Sequence, residues 1–262
     1  MSDELHVSLS ASGILRITMN RPQVHNAFDD HQIARFIAAL DAASANPAVR
    51  VVVIASNGKN FSAGGDIHYM RRMGGNSYQE NLADGAQLAR LMKTLNFLPR
   101  PTIARVQGAA MGGGVGLVSC CDFAIGTPDT RLALTEVKLG MVPATISPYV
   151  VKTIGEMPAR RLFMSGQPVQ AEEARRLGFL SDVVPQEELD TAVTALAEGL
   201  LENAPAALRL SKQLAIEVAA GDITDALITN TVKLIADVRD SDEGREGLSA
   251  FLEKRAPAWQ QG

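Results

Sequence analysis

Thr102-Ile103-Ala104-Arg105-Val106-Gln107-Gly108-Ala109-Ala110-Met111-Gly112-Gly113-Gly114-Val115-Gly116 is the stretch that decides how this chain folds. Thr102–Val106 reads as a strand, and the glycines lead into a short helix over residues 115–121. Three consecutive glycines in an ordered element cost about 1 kcal/mol each relative to alanine, so a reason for them is expected. The same order occurs upstream. Residues 49–55 are a β-branched run of the length of a buried parallel strand, followed by Phe61-Ser62-Ala63-Gly64-Gly65-Asp66 and a helical stretch over 67–72. Strand, glycine turn and helix in repeated succession predict an α/β fold with helices packed on sheets.

Working outward, residues 13–19 alternate like a half-buried strand and end at Asn20-Arg21-Pro22. Asp29 or Asp30 caps a helix carrying Ile33, Phe36, Ile37 and Leu40. Gly74-Gly75-Asn76-Ser77 reads as a flexible break, residues 82–95 as a helix, and Phe123-Ala124-Ile125 as a strand. Past residue 186 the strand signals stop, and 189–201, 206–219, 223–238 and 243–253 read as helices. The expected organisation is a core over 1–186 and a helical region over 187–262.

A chain of 262 residues suffices for one substantial core. With 46% hydrophobic residues, a net charge of −4 and no long basic run, nucleic acid and anionic membrane are unexpected partners. The two cysteines, Cys120 and Cys121, are adjacent, read as buried, and supply no disulfide framework. The start, Met1-Ser2-Asp3-Glu4, lacks the layout of a signal peptide, and no apolar run is long enough to span a bilayer. The cytoplasm is the expected compartment. His6, His25, His31 and His68 have no metal-ligand spacing, and no metal is expected.

Glycine lets a bare backbone N–H approach a ligand, and two N–H groups aimed at one point make an oxyanion hole. The helix opened by the second turn adds a partial positive charge from its dipole. Glu136, with Thr135 before it as a candidate cap, supplies one carboxylate. Singly, each feature has an ordinary reading: a strand-to-helix connection, close helix–sheet packing, a solvated helix-start glutamate. Together they point to chemistry on a polarised carbonyl through an enolate. No dinucleotide fingerprint, phosphate loop or nucleophile elbow is present.

Seven segments in order give a resemblance. They are Asn20-Arg21-Pro22 with Asn26-Ala27, Phe61 to Asp66, Val106 to Gly114, Cys121-Asp122, and Glu136-Val137-Lys138-Leu139-Gly140. Ala171-Glu172-Glu173-Ala174 with Leu177-Gly178, and Glu246-Gly247 with Phe251 to Arg255, complete the set. Over nearly its whole length the chain resembles the crotonase (enoyl-CoA hydratase/isomerase) superfamily. Val24 to Asp29 and Pro143 to Tyr149 look most like the bacterial 3-methylglutaconyl-CoA hydratase branch of leucine and acyclic-terpene breakdown.

The resemblance implies a spiral of ββα turns with C-terminal helices that mediate trimers or dimers of trimers. It implies an acyl-CoA thioester as substrate, with no separate cofactor. By motif position, the oxyanion donors are the N–H groups of Gly65 and Gly113, Glu136 is the acid/base, and Gly112 is among the substrate- and CoA-binding residues. Val24, Ala63, Gly64, Asp66 and Ile67 fall on the CoA-binding stretch. Phe251 and Lys254 fall where the family presents an aromatic and a cation to the CoA adenine and phosphate. Gln23 stands where the family often has a basic residue.

The main departure is Gly116, where two-glutamate hydratases carry their first acid. One carboxylate can hydrate an enoyl thioester if it takes a proton from water and returns it to the α-carbon. A single glutamate also suits a Δ3,Δ2-enoyl-CoA isomerase, and enolate stabilisation suits decarboxylation; a further alternative is a catalytically weak acyl-CoA-binding subunit. The expectation is a hydratase in which Gly116 makes room for a branched acyl chain. Arg71, Arg72 and Lys138 are then candidate partners for an acyl carboxylate.

Overall fold

A computed structural model describes residues 4–260. Met1-Ser2-Asp3, on which most of the reading against a leader rests, lie outside the described residues.

In chain order, β1 (Leu5–Leu9) and β2 (Ile14–Met19) lead to α1 (Asp30–Ala45) and β3 (Val51–Ser56). Then come α2 (Ile67–Met73), α3 (Tyr78–Asn96), β4 (Thr102–Val106), β5 (Ala109–Met111), α4 (Gly113–Cys120), β6 (Phe123–Gly126) and β7 (Arg131–Ala133). The remainder is α5 (Ser147–Ile154), α6 (Glu156–Ser165), β8 (Val169–Gln170), α7 (Ala171–Leu177), β9 (Asp182–Val183), α8 (Leu189–Leu201), α9 (Pro205–Val218), α10 (Asp225–Asp240) and α11 (Asp242–Glu253). One sheet has the order β1-β2-β3-β4-β6-β9, parallel except at β1–β2, and the other has the order β5-β7-β8. This is the expected α/β architecture, with two sheets and C-terminal helices.

The β-branched run of β3 is buried at all six positions because both faces of its sheet are covered. Val52 and Ile54 pack into the main core with Leu40, Leu91 and Leu95, whereas Val51 and Val53 pack with Leu189, Val193 and Ala197 of α8. Thus α8, grouped by sequence with the helical region, covers one face of the main sheet. α9 and α10 bury no residue.

Helix α1 starts at the expected cap, with the Asp29 carboxylate accepting from the Gln32 N–H at 2.7 Å. Helix α3 begins four residues before the expected start. Ser77, placed by sequence in a flexible break, is its N-cap and forms a reciprocal capping box with Glu80.

Candidate active site

The two glycine turns lie side by side because the backbone of Ser62 joins them. The Ser62 N–H donates to Ala109 O at 3.0 Å, and the Met111 N–H donates to Ser62 O at 2.9 Å. On the far side of the first turn, Phe28 N–H donates to Gly64 O and Asp66 N–H donates to Phe28 O, each at 2.7 Å. Gly64 has φ +85°, and a Cβ there would lie 3.0 Å from Met111 O. Glycine is therefore required twice over at Gly64, by backbone conformation and by the approach of the second turn.

These bonds occupy neighbouring amides and leave two others. The N–H of Gly64 is taken by Ser62 Oγ, that of Asp66 by Phe28 O and that of Gly112 by Ala133 O. Among the described residues, no acceptor bond engages the N–H of Gly65 or Gly113. Both glycines line a cavity of about 260 Å³. Gly113 opens α4, so its amide lies at the positive end of that helix.

Glu136 lines the same cavity at the head of a 3-10 turn, Glu136–Leu139. The Thr135 side chain makes no capping bond there, contrary to expectation. Glu136 Oε2 is buried and has no hydrogen-bond partner. Burial raises the pKa of its carboxyl above the ordinary glutamate value, which favours the protonated form.

The rest of the wall is mostly apolar: Phe28, Ile33, Met70, Leu88, Val142 and Ile146 are representative. One further acid is present that the sequence reading missed. Asp84 of α3 lines the cavity and accepts a hydrogen bond from the Tyr69 hydroxyl of α2. Burial, together with the adjoining Asp84 carboxylate, raises the pKa of the Tyr69 phenol, so it stays a donor. The available signal was spacing: Asp84 falls in line with Leu88, Met92 and Leu95, a polar residue continuing the buried stripe of α3.

Gly116 overturns one expectation. A Cβ there would lie 2.5 Å from Ile146 Cγ2 and 3.0 Å from Met92 Sδ. The space beside Gly116 is filled by these two side chains, so the glycine itself opens no room for an acyl branch.

Ala63, Gly64 and Gly112 line the cavity. Asp66 is not among the lining residues; its buried carboxylate caps α2 and pairs with Arg21 at 3.0 Å. Burial of Asp66 opposes ionisation, but the Tyr69 and His68 amides and the Arg21 charge outweigh it and lower the pKa. Val24 is half-buried at the end of a 3-10 turn, and Ile67 is exposed at the start of α2. Phe251 and Lys254 are exposed at the end of α11, outside the cavity lining.

Arg71, Arg72 and Lys138 do not line the cavity either. Arg72 pairs with Asp30 at 2.5 Å and sits over the Tyr69 ring, while Lys138 extends across Gly166. No cation is found among the lining residues. No group of described residues has the makings of a metal site, and no helix is long and apolar enough to cross a membrane.

A family model described as enoyl-CoA hydratase/isomerase matches residues 10–262. The chain is 33% identical over 239 residues to the crotonyl-CoA hydratase of Syntrophomonas wolfei, covering 90% of each chain. A Legionella pneumophila structure of the enoyl-CoA hydratase/isomerase (crotonase) type superposes with a TM-score of 0.94 at 44% identity, over 99% of this chain and 100% of that one. An enoyl-CoA hydratase structure from Shewanella pealeana gives a TM-score of 0.95 at 39% identity, over 98% and 96%.

Proposed function

Because the chain belongs to the enoyl-CoA hydratase/isomerase (crotonase) family, we propose that it adds water across the double bond of a 2-enoyl-CoA. The observation that carries this reading is the convergence on one cavity of two unengaged amides, Gly65 and Gly113, and a buried carboxyl, Glu136. The thioester oxygen takes the two N–H groups, which favour the negative charge that develops as the enolate forms. Protonated Glu136 delivers its proton to the α-carbon, and burial favours that neutral form of the carboxyl. Relatives described as crotonyl-CoA hydratase and 2,3-dehydroadipyl-CoA hydratase support the same class of reaction.

The acyl group we assign is short and uncharged. A 3-methylglutaconyl chain, the finer reading suggested by residues 24–29 and 143–149, ends in a carboxylate that needs a cation once desolvated. The lining supplies none and places Asp84 there instead. The isomerase reading keeps one supporting observation: position 116 carries no acid and its space is filled.

We assign residues 187–262 to assembly into a trimer or a dimer of trimers and to part of the CoA site. Exposed apolar residues on α10 and α11, among them Val232, Phe251 and Leu252, support that assignment. Hydration is tested by loss of the conjugated enoyl-thioester absorbance of crotonyl-CoA, with a 3-enoyl-CoA run in parallel. Hydration faster than isomerisation supports the proposal; the reverse replaces it with an isomerase.

A further inference from the structure

We propose that Asp84, held by the Tyr69 hydroxyl, is the base that activates water for attack on the β-carbon. This inference rests on the hydratase reading and supplies the second acid that the reading lacks.

Hydration needs two proton movements, one from water and one to the α-carbon. Glu136 is suited to the second, because its Oε2 is buried without a partner and burial biases the carboxyl toward its protonated form. A group that enters the cycle protonated cannot also take the proton of the attacking water in the same step. The other family position for an acid is closed, since Ile146 and Met92 occupy it. Among the residues lining the cavity, only Asp84 and Glu136 carry a carboxyl group.

The surroundings of Asp84 suit a base. Tyr69 donates to Oδ1, so Asp84 acts there as the accepting carboxylate, and no described donor engages Oδ2. Tyr69 is only 8% exposed, and its own N–H is fixed by the Asp66 carboxylate at the head of α2. The phenol is thus a rigid support for a carboxylate on the neighbouring helix. Asp84 shares its face of α3 with Leu88, which lines the cavity, and Met92, which fills the space beside Gly116. The acid has in effect moved from α4 to α3.

The step balances. A lone pair of water forms the bond to the β-carbon while the water proton passes to Asp84 Oδ2. The π pair of the double bond moves to the α-carbon and thioester oxygen, held by the Gly65 and Gly113 amides. Collapse of the enolate forms the bond between the α-carbon and the Glu136 proton. Solvent then carries a proton from Asp84 to Glu136.

The test compares wild type, Asp84→Asn and Tyr69→Phe in two assays: hydration of crotonyl-CoA, and exchange of the α-protons of butyryl-CoA with D2O. Exchange needs Glu136 and the oxyanion hole but no activated water. Asp84→Asn is expected to slow hydration about 100-fold or more, with exchange persisting within about threefold of wild type. Tyr69→Phe, which loosens a positioning residue, is expected to lower kcat about tenfold with KM nearly unchanged. Hydration by Asp84→Asn at a wild-type rate overturns the inference alone, and so does parallel loss of both reactions. A wild type that exchanges α-protons but hydrates no enoyl-CoA overturns the hydratase reading and the inference with it.

Discussion

A Cβ built on Gly112 would lie 3.1 Å from Glu136 Oε1, so the second glycine turn and the acid are fitted to each other. Gly112 also has φ +49°, in the left-handed region where a side chain is strained. Gly112→Ala is therefore expected to cost about 1–2 kcal/mol of stability from backbone strain. It also pushes the carboxyl out of place, so its loss in kcat should exceed its change in KM. Denaturant melts and steady-state kinetics on one preparation check both.

Glu136 has a sign that can be read from stability. Its folded-state pKa is raised by burial, so the folded protein favours the neutral carboxyl. That contribution is complete below the unfolded pKa and is lost as pH rises through the folded one. Glu136→Gln, which cannot ionise, should match wild type in Tm at acid pH and exceed it increasingly toward neutral pH. Thermal melts between about pH 4 and pH 8 check this, spanning the ordinary glutamate pKa of about 4.3.

Gly116 is closed by its neighbours. Gly116→Ala should destabilise the fold by about 1–3 kcal/mol, as overpacking of a filled interior does. Pairing it with Ile146→Ala should recover part of that loss, because Ile146 Cγ2 is the atom a Cβ would meet at 2.5 Å. A double-variant cycle on Tm reads the coupling.

The first turn depends on Arg21, which reaches Asp29 at 2.9 Å and Asp66 at 3.0 Å. Asp66 is almost fully buried, so Arg21→Ala leaves a carboxylate without its charge partner, an effect of about 3–5 kcal/mol in comparable sites. Unfolding of this variant at markedly lower denaturant than wild type is expected.

Much of this architecture is legible in sequence because its strongest elements carry local signals. β3 is a run of β-branched residues, α1 has an Asp29 cap and a buried stripe, and Gly64 and Gly112 sit where only glycine fits. β7, β8 and β9 are missed because two or three residues show no periodicity. At the site, Glu136 and the two turns can be found from motif order. Asp84 cannot, because only the packing of α2 beside α3 brings it to Tyr69, 15 positions away. The filled space at Gly116 is likewise a tertiary fact, made by Met92 and Ile146 from two other parts of the chain.

The most direct test of the account is the hydration rate of crotonyl-CoA by wild type and by Glu136→Gln, with acyl-CoA binding measured for both. The account predicts hydration by wild type and a loss of about 100-fold or more in the variant, with binding retained because the Gly65 and Gly113 amides are untouched. Equal hydration by both proteins, or tight acyl-CoA binding by a wild type that transforms no enoyl-CoA, would contradict it.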